Sequence, residues 1–190
     1  SWGGVLPRLA RRWTVVAPDL PGHGLSSTPA ADGLGIPGMA AAVAALLRTL
    51  GVAPRVVAAH SAGAAVALRL VLDRGIRPAA VVGINAALTP PSLVYRALGA
   101  PLLHPIALSA GVTRLAARVT ASDWYLRRML DSTGSRISDE QFALYAACTR
   151  SEPHLAALFT MLANWDLAAL ARELPDVDVP VTLLAGGAFF

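Results

Sequence analysis

Apolar residues follow one another along this chain in two rhythms. In the first half, short continuous apolar runs alternate with longer helical patterns. Thr14–Ala17 is a β-type run, closed by the dense loop signal Pro18-Asp19-Leu20-Pro21-Gly22-His23-Gly24. Pro37 to Leu50 predicts a helix: Pro stands near its start, Gly51 follows its end, and Met39, Val43, Leu46, Leu47 and Leu50 form an apolar face. Arg55–Ala59 predicts a strand, Ala62–Arg74 a helix, and Ala79–Ile84 a further strand too short for an ordinary helix. Strands alternating with helices predict a mainly parallel sheet covered on both faces.

The second rhythm is helical. From about Ala86 to Leu174 the pattern predicts no strand, and helices are expected over Pro91–Leu98, Ser122–Leu130, Asp139–Thr149, Pro153–Asn164 and Leu167–Arg172. Ser138 stands where an N-cap belongs, with Gln141 three residues on in the capping-box position. Strand character returns at Val179–Ala185. An all-helical insertion between two strands of such a sheet reads as a cap over the mouth of a site. The expected division is therefore a partial α/β core over 1–85, a helical cap over 86–174 and the core resumed over 175–190.

Composition narrows the choice. The chain is 55% hydrophobic and only 15% charged, enough to bury a core and too apolar for disorder. All 16 basic residues are Arg, and they are scattered singly or in pairs such as Arg11-Arg12 and Arg127-Arg128. With no basic stripe interleaved with aromatics, the net charge of +4 does not argue for a nucleic-acid partner. The single cysteine, Cys148, sits in an apolar helical pattern, which suits buried packing and a reducing, cytoplasmic setting. The uncharged stretch Ala97–Thr113 is interrupted by Pro101, His104, Pro105 and Gly111 and falls short of the ~20 residues of a spanning helix. Contact with a membrane surface stays open; a transmembrane span is not expected.

The chemistry concentrates at Val56-Val57-Ala58-Ala59-His60-Ser61-Ala62-Gly63-Ala64-Ala65. A buried strand that turns sharply at a serine and enters a small-residue helix has the form of a nucleophile elbow. Ser61 is the candidate nucleophile, and the Ala62 N–H at the helix start is a candidate oxyanion donor. Gly63 is expected to leave room where strand and helix approach, with Ala59 in place of the first glycine of G-x-S-x-G. His60 precedes the serine, so its side chain points away from the hydroxyl and is read as structural or pocket-lining. His23 reads as a loop-stabilising residue; His104 and His154 lie in the expected cap, where either could touch a ligand, with a partly exposed helix histidine as the commoner case. Asp166 reads as a helix start or cap. No cofactor and no metal site is expected.

A serine hydroxyl needs a base to take its proton and an acid to orient that base. In this fold the order along the chain is Ser, then Asp or Glu, then His. No His follows His154, and the strand expected to precede the acid runs into Gly186-Gly187-Ala188-Phe189-Phe190. The loop for a second oxyanion donor belongs upstream of Ser1. The sequence is therefore expected to be an internal fragment, truncated at both ends.

Several segments carry a resemblance. Val15-Val16-Ala17-Pro18-Asp19-Leu20-Pro21-Gly22-His23-Gly24 and His60-Ser61-Ala62-Gly63 resemble the α/β-hydrolase superfamily. Gly83-Ile84-Asn85-Ala86-Ala87-Leu88, Asp131-Ser132-Thr133-Gly134-Ser135, Ala143-Leu144-Tyr145 and Met161-Leu162-Ala163-Asn164-Trp165-Asp166-Leu167 are similar to the magnesium-chelatase accessory proteins of bacteriochlorophyll synthesis, an α/β-hydrolase-fold family. The resemblance covers nearly the whole chain. It implies an α/β-hydrolase fold with a helical cap, a role beside Mg²⁺ insertion into a tetrapyrrole, Ser61 as the elbow serine with Ala62 as oxyanion donor, and an Asp where this chain has Phe189. It also implies magnesium-chelatase subunits as partners and a small apolar ester or tetrapyrrole-like ligand, whether the protein is a serine ester or carbon–carbon bond hydrolase or a non-catalytic binding protein. Asn85 and Trp165 are candidate pocket residues, with a hydrogen-bonded Asn and a core Trp as the simpler readings.

Overall fold

The computed structural model describes residues 2–89, 109–120, 122–132, 134 and 137–186. In chain order the elements are α1 (Leu6–Leu9), α2 (Ile36–Thr49), β1 (Val56–His60), α3 (Ala62–Leu72), β2 (Ala80–Ile84), α4 (Ala110–Thr120), α5 (Asp123–Ser132), α6 (Asp139–Thr149), α7 (Glu152–Asn164), α8 (Leu167–Glu173) and β3 (Val181–Leu184). Ser1–Thr28 with Leu108–Leu158 make one compact unit, and Pro29–Ala107 with Phe159–Phe190 make the other.

The second unit holds the sheet, three parallel strands in the order β1-β2-β3. Val56 pairs with Ala80 and His60 with Ile84, while Val81 pairs with Val181 and Ile84 with Leu184. The strands are in step, so their C-terminal ends finish together. β2 is paired on both sides, and its Val81-Val82 run, like Val56-Val57 in β1 and Val181-Thr182 in β3, supplies β-branched residues that suit extended backbone. Thr14–Ala17, read above as a strand, joins no ladder, and residues 14–20 form no regular element. A β-branched run becomes a strand only where a neighbour supplies hydrogen-bond partners.

α2 buries Ile36, Met39, Ala40, Ala44 and Leu47 at helical spacing, with Pro37 in its first turn. It ends in a Schellman motif, in which Gly51 N–H donates to Arg48 O at 3.1 Å and Val52 N–H to Leu47 O at 2.9 Å. Gly51 takes the left-handed φ of 63° that this motif requires. α3 ends in the same way, with Arg74 N–H on Val71 O and Gly75 N–H on Leu70 O, both at 2.9 Å. Here Arg74 occupies the left-handed position, at φ 54°, where a side chain costs roughly 1 kcal/mol relative to glycine.

α8 packs into this unit. Ile36, Ala65 and Leu170 form a buried cluster flanked by Leu88, Trp165, Leu167 and Leu174. Residues 159–174, grouped with the helical insertion in the sequence reading, thus lie in the sheet-bearing unit. Asp166 caps α8, its carboxylate accepting from Ala169 N–H at 2.8 Å. The Trp165 indole N–H donates to Leu34 O at 3.1 Å.

The other unit is helical among its described residues. Leu126, Leu130, Phe142 and Ala146 form its cluster between α5 and α6. Ser138 and Gln141 make the full capping box at the start of α6, as their spacing predicts. Cys148 is half-buried on α6 rather than fully buried. α4 is absent from the sequence reading although Val112, Leu115, Ala116 and Val119 recur at helical spacing; its buried positions are Thr113 and Ala117, while Leu115 and Val119 are exposed. The helix expected over Pro91–Leu98 lies outside the described residues, as do His104 and Phe189.

Candidate active site

β1 runs straight into α3, and the single residue between them is Ser61. Its backbone sits at φ 51° and ψ −122°, a conformation that non-glycine residues rarely adopt. Hydrogen bonds from the neighbouring strand end hold it there. Ser61 N–H donates to Ile84 O at 3.0 Å, and Ala87 N–H donates to Ser61 O at 3.1 Å. Ala86 packs with Ala59, Ala64 and Ala67 beneath the turn. The strained serine is thus pinned by the segment that follows β2.

That segment carries a second strained residue. Asn85, at φ 43°, donates its N–H to Leu184 O at 2.7 Å and accepts from Gly186 N–H through Oδ1 at 2.8 Å. Three strand ends are therefore tied together at one edge of the sheet, where ligands of open α/β sheets bind. Asn85 is exposed and does not sit in a buried polar network. Trp165 packs against the Ile36, Ala65 and Leu170 cluster. His60 is exposed at the end of β1.

The α3 N-terminus supplies the local electrostatics. Ala64 N–H is satisfied by Ser61 O at 3.1 Å, while the N–H groups of Ala62 and Gly63 have no acceptor among the described residues. Unpaired N–H groups at the positive end of a helix favour negative charge. A Cβ added at Gly63 would meet nothing within 4 Å. This corrects the expectation that Gly63 makes room for strand–helix packing; among the described residues the side next to the Ser61 turn is open. The close approach in the sheet is at Gly83, where a Cβ would lie 2.7 Å from Leu183 Cδ2 and 3.3 Å from Ala86 Cβ. Neither a histidine nor a carboxylate among the described residues is bonded to Ser61 Oγ.

In the helical unit, the loop after Pro18 folds around Asp19. The Asp19 carboxylate accepts from Leu25 N–H at 3.0 Å, its carbonyl accepts from Ser26 Oγ at 2.8 Å, and Gly24 at φ 55° leaves no room for a Cβ beside it. His23 Nδ1 lies 2.9 Å from Pro21 O, which supports the loop-stabilising reading. His154 is half-buried on α7, partly exposed as expected. Its ring stands edge-on to His23 with centroids 5.3 Å apart, and its Nδ1 is buried without a partner among the described residues.

Burial pushes the His154 imidazole below its usual value; the nearby His23 adds to this and Asp19 opposes it. The unfolded chain then binds the proton more readily than the folded one. The stability is present above the unfolded pKa of about 6.5 and is lost as pH falls through the folded value. The urea midpoint should accordingly drop between about pH 7 and pH 5, and drop less in His154→Gln. Equal drops in both proteins would rule out His154 as the source.

The alpha/beta hydrolase fold family model matches residues 1–105, more than half of the sequence. The chain belongs to the α/β-hydrolase fold family. It is 37% identical over 186 residues to the magnesium-chelatase 30 kDa subunit of Rhodobacter capsulatus, covering 98% of this chain. The chain spans 65% of that relative's length, just short of two thirds. An epoxide hydrolase solved without ligand superposes with a TM-score of 0.73 at 23% identity, covering 98% of this chain and 70% of its own. An α/β-hydrolase fold protein from Burkholderia ambifaria gives 0.68 at 23% identity, covering 97% and 67%. At that identity the two structures speak for the fold alone. Among the described residues, no single helix is long and apolar enough to cross a membrane.

Proposed function

We propose that the Ser61 turn is a nucleophile elbow and that the protein containing it is a serine hydrolase working beside magnesium chelatase. The observation that carries this reading is Ser61 itself: a strained serine between β1 and α3, tied down by Ile84 and Ala87. Strain of roughly 1–3 kcal/mol at one residue persists where the surroundings enforce it, and a strand-to-helix serine is where this family keeps its nucleophile. Ser61 Oγ attacks the carbonyl carbon of an apolar ester, and the carbonyl oxygen takes the negative charge. The Ala62 N–H donates to that oxygen at the positive end of α3. A histidine accepts the Ser61 proton and an acid orients it, both from outside the described residues.

Hydrolysis of p-nitrophenyl butyrate by the full protein tests this. Turnover that disappears in Ser61→Ala supports the reading, and turnover untouched by the substitution contradicts it. The similarity to a chelatase subunit favours a second reading, in which the elbow is scaffold only and the protein docks on magnesium-chelatase subunits or holds a tetrapyrrole-like ligand. Under that reading the protein binds protoporphyrin and shows no Ser61-dependent turnover.

A further inference from the structure

At the opposite end of the sheet from Ser61, the C-terminal ends of α2 and α3 enclose a pocket of about 470 Å³. That volume falls in the range of small-molecule sites, roughly 300–1,000 Å³. Its floor is apolar, formed in part by Val71 and Ile76, and its rim carries Arg48, Arg74, Arg77 and Asp178. It opens where β1 and β2 begin, whereas Ser61 follows the end of β1, so the five residues of the strand separate them by about 16 Å.

The rim sets three arginines against one aspartate, and Arg48, in the last turn of α2, also offsets the negative end of that helix. Arg77 meets Asp178 at 3.2 Å, with the two side chains 82% and 59% exposed, so this pair is weakly held. Arg48 and Arg74 have no ion-pair partner among the described residues. The backbone supplies the second observation. The two Schellman motifs beside the pocket are alike, yet one uses Gly51 in the left-handed position and the other uses Arg74. Glycine would hold the α3 end without strain, so packing gives no reason for a side chain there. A strained backbone that delivers a guanidinium to a pocket rim is the pattern of a binding residue.

We propose that this pocket binds a small organic anion, a carboxylate or phosphate head group on an apolar body. Guanidinium forks match the two or three oxygens of such a head group, and the apolar floor takes the body. A bare anion uses only the rim.

Calorimetric titration of the full protein with octyl phosphate, below its micelle concentration, and with inorganic phosphate tests the assignment. Octyl phosphate should bind saturably and at least about tenfold more tightly than inorganic phosphate, and Arg48→Ala and Arg74→Gly should each weaken it about tenfold. Arg74→Gly should at the same time raise the urea midpoint, since it removes the strained side chain, so its lost affinity cannot come from misfolding. Ser61→Ala should bind as wild type, which separates this site from the proposed active site. The assignment is overturned if no saturable binding is seen. It is also overturned if both arginine variants keep full affinity, or if affinity is lost only in Ser61→Ala.

Discussion

Ser61→Ala in the full protein is expected to lower ester turnover at least ~10³-fold, the scale of losing the nucleophile from a covalent mechanism. Substrate affinity should change little, because the hydroxyl supplies a reacting atom and no binding surface. Stability gives the second half of the prediction. Alanine at φ 51° keeps the strain, so its unfolding midpoint should match that of the wild type. Glycine removes it, and Ser61→Gly should gain about 1 kcal/mol while losing the same activity. A serine retained at a position where glycine is more stable is retained for its hydroxyl. If Ser61→Gly is neutral or destabilising, the strain argument fails, whatever the turnover.

Gly38→Ala should be the more damaging of two glycine substitutions in helices, costing about 2 kcal/mol net of alanine's better helix propensity. Its Cβ would lie 2.6 Å from Asp32 O, 2.7 Å from Gly33 Cα and 2.9 Å from Gly33 C, all backbone atoms of the turn before α2. Backbone cannot swing aside as a side chain can, so α2 must lift off the turn. That would disturb Leu34 and Met39, among the most buried large side chains. Gly63→Ala meets nothing and should gain up to about 1 kcal/mol. Urea midpoints of the two variants against wild type test the contrast. A reversed order would mean that the tight approach lies at α3 after all.

That contrast shows what a sequence carries and what it withholds. The strands, α2, α3 and the capping box of α6 were legible because apolar runs, caps and turn residues are local signals. Ser61 was legible for the same reason: its neighbours on both sides spell out a strand, a turn and a helix. Close approach is not local, so Gly63 was picked by motif while Gly38 and Gly83 make the tight contacts. Arg74 gave no signal, because a Schellman motif announces itself through glycine and here uses Arg. The link from Asn85 to Gly186 joins residues a hundred positions apart and depends on β2 and β3 ending in register. Thr14–Ala17 has the composition of a strand, yet a ladder needs a partner that composition cannot name. His154 reads as an ordinary helix histidine until His23 is seen edge-on beside it.

The most direct test of the central claim is intact-mass analysis of the full protein after reaction with a fluorophosphonate probe. One adduct per chain is predicted, located on the peptide that bears Ser61 and absent from Ser61→Ala. A protein that stays unmodified, or is modified at another residue, would contradict the assignment of Ser61 as nucleophile and leave the binding reading in its place.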